Sequence, residues 1–83
     1  VIAGRIDRLI LHRDASGQVH SATILDYKTG AVGVSSSVFE SKLLGYRAQM
    51  RAYCAAVEEI WSLPSGAASA KLLFVDRDEV VPV

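Results

Sequence analysis

A single cysteine, no surplus of charge and no long apolar run set the first limits on this 83-residue sequence. The lone Cys54 excludes a disulfide framework, and it excludes any zinc or iron–sulfur site that needs several thiolates from this chain. So little cysteine makes a reducing, cytoplasmic setting the expected one. Nine Lys and Arg balance nine Asp and Glu, so no bulk positive field holds the chain on nucleic acid and any partner is bound locally. No apolar stretch approaches the ~18 residues of a membrane span, so no membrane partner is expected. The basic-then-apolar pattern of a secretory leader is missing too. What remains, 51% apolar and 22% charged residues, is the composition of a globular chain with room for one small domain at most. The first residue is Val1 rather than Met, so residues 1–83 read as a segment of something longer.

Local patterns give the element order. Val1 to His12 is rich in Ile, Leu and Val and runs into the turn-like Arg13-Asp14-Ala15-Ser16-Gly17, which predicts a strand and a hairpin. Val19 to Tyr27 is the return strand, pairing antiparallel with the first, and Lys28-Thr29-Gly30 closes it. Residues 30–37 are small and unpatterned and read as a loop. Ser37 with Glu40 fits a capping box, and Phe39, Leu43, Tyr46, Met50, Tyr53, Val57 and Ile60 then recur at three- and four-residue steps. That spacing predicts a helix over Val38 to Ser62, with Gly45 its weak point and Pro64 and Gly66 beyond its end. Lys71 to Val75 resembles a buried strand, and Val80 to Val83 a short last one. No internal repeat and no low-complexity run interrupts this order. The fold class expected is α/β, a mixed sheet in the order β-β-α-β with the helix packed on one face.

Three charged groups interrupt the apolar strands: Asp7, Asp26 and Lys28. Side chains alternate faces along a strand, so Asp26 and Lys28 share a side, and hairpin register brings Asp7 near Asp26. Two adjacent carboxylates repel unless a cation lies between them. Their hard oxygen atoms, with one backbone carbonyl and waters, suit Mg²⁺ or Mn²⁺ and hence phosphoryl chemistry, with the Lys28 ammonium next to the reacting water. Against this stands the plainer reading that charged residues at strand ends are solvated, and Asp-Tyr-Lys-Thr-Gly is also an ordinary strand-to-turn sequence. On the helix, Gln49 and Tyr53 lie one turn apart beside Tyr46, whose simplest role is core packing. Gln49 needs a polar partner, and Arg47 and Arg51 form either a solvated face or phosphate contacts. His12 and His20 have no partners at metal-ligand spacing, and Cys54 reads as a small buried apolar residue.

Three blocks, Gly4-Arg5-Ile6-Asp7-Arg8, then Ile24-Leu25-Asp26-Tyr27-Lys28-Thr29-Gly30, then Tyr46-Arg47-Ala48-Gln49-Met50-Arg51-Ala52-Tyr53, stand in this order. Together they resemble the nuclease domain of the RecB and AddA helicase-nucleases, members of the PD-(D/E)XK superfamily. The resemblance implies a restriction-endonuclease-like core in which Asp7, Asp26 and the Tyr27 carbonyl hold Mg²⁺, or Mn²⁺, and Lys28 acts on the attacking water. It implies that Gln49 and Tyr53 support the site or the DNA strand, with Arg5, Arg8, Arg47 and Arg51 available to phosphates. It also implies a DNA exonuclease of recombination and double-strand-break repair, with a helicase motor in the same parent chain and a possible partner subunit. Such domains carry a helix before the first strand that gives the metal another ligand; here the sequence starts at the strand, so residues 1–83 read as one partial nuclease domain lacking that first helix. No Gly-Lys-Ser or Gly-Lys-Thr phosphate loop is present, and Cys54 alone cannot supply the iron–sulfur cluster of some related nucleases. Two rival readings keep the same fold: an inactive DNA-binding or scaffolding domain, and a stand-alone phosphodiesterase acting on RNA or another DNA structure.

Overall neutrality hides a split. Residues 1–53 hold seven Lys and Arg against four Asp and Glu, whereas residues 54–83 hold two against five. The basic part contains every candidate site residue, as a phosphate-binding face should.

Overall fold

The computed structural model describes residues 6–29, 35–76 and 79–83. Four strands and one helix follow in the order β1 (Arg8–Arg13), β2 (Val19–Lys28), α1 (Ser36–Ile60), β3 (Ala68–Phe74) and β4 (Glu79–Pro82). The sheet has the same spatial order, β1-β2-β3-β4. β1 and β2 pair antiparallel, β2 and β3 parallel, and β3 and β4 antiparallel. A parallel pair requires a crossover, and α1 supplies it. The outcome is the expected α/β mixed sheet with a helix on one face.

The hairpin between β1 and β2 is built by Asp14. Its Oδ1 accepts from Ser16 N at 2.9 Å, Ser16 Oγ at 2.6 Å and Gln18 N at 3.1 Å, and these bonds hold its carboxyl below the ordinary range. Gly17 completes the turn at φ 88°, a conformation in which only glycine is unstrained. The register shift between His12 and Arg13 adjoins this turn.

Even-numbered residues of β2 face the helix: Ala22, Ile24 and Asp26 are buried, and β3 answers with Ala68, Ala70, Leu72 and Phe74. The stripe of α1 that meets them contributes Met50, Tyr53 and Val57, with Phe39, Leu43 and Tyr46 partly buried beside them. Withdrawing Ile24 or Leu72, each 0% exposed, from water is worth about 1.5–3 kcal/mol. Among the described residues, this patch is the apolar core that α1 and the sheet share.

Several expected boundaries shift. The helix begins at Ser36, capped by Ser35, whose Oγ accepts from Val38 N at 3.4 Å, so the Ser37–Glu40 capping box is not the start: Ser37 already lies inside the first turn. Gly45 does not break the helix, because neighbours on its apolar stripe are clamped to the sheet. The chain leaves α1 after Ile60 rather than Ser62, with Ser62 at φ 53°. β3 starts at Ala68, three residues before the apolar run, because Ala22↔Ala68 opens the parallel register. Glu58 fixes this return by accepting from Gly66 N and Ala68 N, both at 3.0 Å. β1 begins at Arg8, whereas the first part of the expected strand and most of the expected loop lie outside the described residues. No helix is long and apolar enough to cross a membrane.

Leu72→Ala should lower the unfolding free energy in urea by about 2–5 kcal/mol, whereas Leu44→Ala, at a residue 69% exposed, should stay within about 0.5 kcal/mol of the parent. Equal effects of the two substitutions would contradict this placement of the core.

Candidate metal centre

The antiparallel register of the hairpin ends at Arg8↔Leu25, and continuing it by one residue sets Asp7 across from Asp26. There the chain of β1 bends while β2 runs on to Lys28, so the backbone of Tyr27 loses its strand partner. Asp7 takes the partner's place: its Oδ2 accepts from Tyr27 N at 3.0 Å. In an extended strand a residue's carbonyl points to the same side as its N–H, so the Tyr27 carbonyl is directed to the edge where Asp7 stands.

Asp26 is 5% exposed, the one buried charged residue among the described residues. Burial pushes its carboxyl above the ordinary range, and the neighbouring Asp7 pushes it the same way; Lys28 opposes both. Lys28 Nζ lies 2.8 Å from Asp26 Oδ2, as the shared face of residues 26 and 28 requires. The approach is an ionic contact without hydrogen-bond alignment, so Oδ2 is a buried oxygen whose hydrogen-bonding capacity is unfilled. Two hard carboxylates, one of them held ionised at a cost and incompletely satisfied, fit a divalent cation such as Mg²⁺. Among the described residues no three His, Cys, Asp or Glu side chains gather into a metal cluster, so Asp7 and Asp26 are two candidate carboxylate donors.

The sequence profile of the PD-(D/E)XK nuclease superfamily matches residues 1–82. The chain belongs to this superfamily. Asp26-Tyr27-Lys28 has the (D/E)XK pattern of the superfamily's name, and Ile6-Asp7 upstream differs from its Pro-Asp at the first position. Superfamily members are nucleases that generally use divalent metals, and the donor set here fits that chemistry. No curated protein and no solved structure gives a significant match.

The remaining candidates are distributed more widely. Gln49 Nε2 donates to the Tyr53 hydroxyl at 3.1 Å, so the partner that Gln49 needs is Tyr53 itself, whose ring is buried in the core. Arg8, paired with the outward Leu25, lies on the sheet face opposite the helix, whereas Arg47 is half-buried and Arg51 exposed on α1. These three therefore form no single basic patch, and Arg5 lies outside the described residues. Sequence reasoning missed one neighbour: Tyr46, assigned to core packing, presents its ring to Lys28 Nζ, 4.3 Å from the ring centroid. The available signal was its position one turn before Met50 on the stripe facing the sheet.

Because the folded Asp26 carboxyl titrates above its ordinary value, ionising it costs folding free energy, a cost that builds as pH rises from the ordinary value and is complete above the raised one. At neutral pH without metal, Asp26→Asn should therefore raise Tm. Ligand binding stabilises a fold by mass action, so Mg²⁺ should raise the Tm of the parent but not of the variant. A variant that melts below the parent in EDTA, or gains as much from Mg²⁺, would contradict this electrostatic account.

Proposed function

We propose that this domain is a Mg²⁺-dependent DNA exonuclease of a RecB- or AddA-like helicase-nuclease, acting in recombination and double-strand-break repair. The observation that carries the nuclease reading is the pairing of Asp7 and the buried Asp26 across the end of the hairpin, with the Lys28 ammonium 2.8 Å from Asp26. Support for the finer assignment comes from the three sequence blocks around Asp7, Asp26 and Gln49, which stand in that family's order. The intact trio disfavours a purely scaffolding role.

In this reading Asp7, Asp26 and the Tyr27 carbonyl hold the cation. When bound, a divalent ion makes water a usable nucleophile at neutral pH and neutralises charge on the phosphoryl oxygens. The chain's own residues do the rest. Asp26 keeps Lys28 at the mouth of the site, where the ammonium orients the attacking water or meets the charge that develops on the phosphate. The core behind Asp26 excludes solvent on one side and strengthens these interactions. Arg8, Arg47 and Arg51 are available to backbone phosphates, and Gln49 and Tyr53 stiffen the helix wall beside the site. A helicase motor in the same protein and a partner subunit complete the proposed assembly.

In the full-length protein, Asp7→Ala and Asp26→Ala should reduce Mg²⁺-dependent hydrolysis of a linear duplex to background while a circular dichroism melt stays cooperative. Lys28→Ala should lower kcat by about 10²-fold with Mg²⁺ binding retained. Full activity in either Asp variant would refute the metal assignment. Degradation of covalently closed circles as fast as linear DNA would refute the exonuclease assignment alone.

A further inference from the structure

A lysine that acts on a reacting water must hold its ammonium in one place, yet its four-carbon stem has many rotamers. The ion pair with Asp26 fixes distance to one atom only and leaves the head free to swing around it. A second contact removes that freedom. Lys28 Nζ stands 4.3 Å from the centroid of the Tyr46 ring, inside the range in which the electron-rich face of an aromatic ring attracts a cation. The Lys28 side chain is 21% exposed, so this contact is partly shielded from water.

The ring is itself braced. Tyr46 lies tilted against Phe74, 6.4 Å between centroids, and Phe74 is 2% exposed and packs edge-on against Phe39 at 5.0 Å. Phe74 ends β3 and is the parallel partner of Lys28. One aromatic group thus joins the helix, the third strand and the lysine of the second.

We propose that Tyr46 is a positioning residue for Lys28: its ring and Asp26 together clamp the ammonium, so the helix sets where the lysine of the nuclease site is held. The inference rests on the nuclease reading for its catalytic consequence, although the clamp itself is a structural property. The ring face, not the hydroxyl, performs this role.

The test uses the full-length protein and two readouts. The first is the NMR shift of the Lys28 ε-methylene protons, assigned by comparison with Lys28→Met. Over an aromatic face they should resonate upfield of ordinary lysines in the parent and in Tyr46→Phe, and return to the ordinary position in Tyr46→Leu. The second is kinetic: Tyr46→Phe should keep kcat within about twofold, and Tyr46→Leu should lower kcat by about 3- to 30-fold at unchanged KM. In a Lys28→Met background, Tyr46→Leu should cause no further loss. An ordinary lysine shift in the parent overturns the clamp, and so does a Tyr46→Leu enzyme as fast as Tyr46→Phe. The parent spectrum decides the contact even where a variant fails to fold. An upfield shift with no cleavage by the parent overturns the nuclease reading and leaves the clamp standing, whereas cleavage with an ordinary shift does the reverse.

Discussion

A carboxylate withdrawn from water at the end of a central strand is expensive, and the position of Asp26 governs much of what surrounds it. Ile24 and Ala22, two and four residues earlier on the same strand face, are core, and the alternation that buries them also carries Asp26 under the helix. Replacing Asp26 by an apolar residue would complete the core at no electrostatic cost. The sequence instead places a second carboxylate, Asp7, across the strand end and a lysine two residues on. Repulsion from Asp7 and attraction from Lys28 then act on the same buried group, and burial together with Asp7 outweighs Lys28. A local departure from the rules of stable cores is what a functional site looks like.

The surrounding fold explains why this charge group is geometrically defined. The long β2 pairs on one side with β1 and on the other with β3, and it outlasts β1 by the residues that carry the site. The early end of β1 frees the Tyr27 backbone on that edge, and Asp7 fills the gap with its own side chain. On the other edge the ladder continues, with Val75 N donating to Lys28 O at 3.1 Å. Lys28 is thereby fixed through its backbone by β3 and through its side chain by Asp26 and Tyr46. The crossover helix returns over exactly this strand pair because the parallel register of β2 and β3 demands a connection long enough to span the sheet.

Much of this was legible in the sequence. The hairpin, the amphipathic stripe from Phe39 to Val57 and the apolar Leu72–Phe74 run each follow a strong local period, and the shared face of Asp26 and Lys28 follows from spacing alone. Element ends were less legible. Ser35 and Ser37 are equally good caps by residue type, and the helix starts from the earlier one, whose Oγ accepts from Val38 N. Ala68-Ser69-Ala70 has low strand preference, so only its pairing with β2 reveals that β3 starts there. The site's third wall was hidden for a similar reason. Tyr46 reads as core from helical spacing, and its contact with Lys28 depends on where the helix crosses the sheet, which no single-sequence period encodes.

The proposed nuclease site requires a divalent cation between Asp7 and Asp26, next to the Tyr27 backbone. Paramagnetic broadening by Mn²⁺ in protein labelled with ¹⁵N-tyrosine tests this directly, with the Tyr27 amide assigned through Tyr27→Phe. Substoichiometric Mn²⁺ should erase the Tyr27 signal first, with Tyr46 and then Tyr53 weakening later, and excess Mg²⁺ should restore all three. A Tyr27 signal that survives while Mn²⁺ saturates the protein would contradict the account.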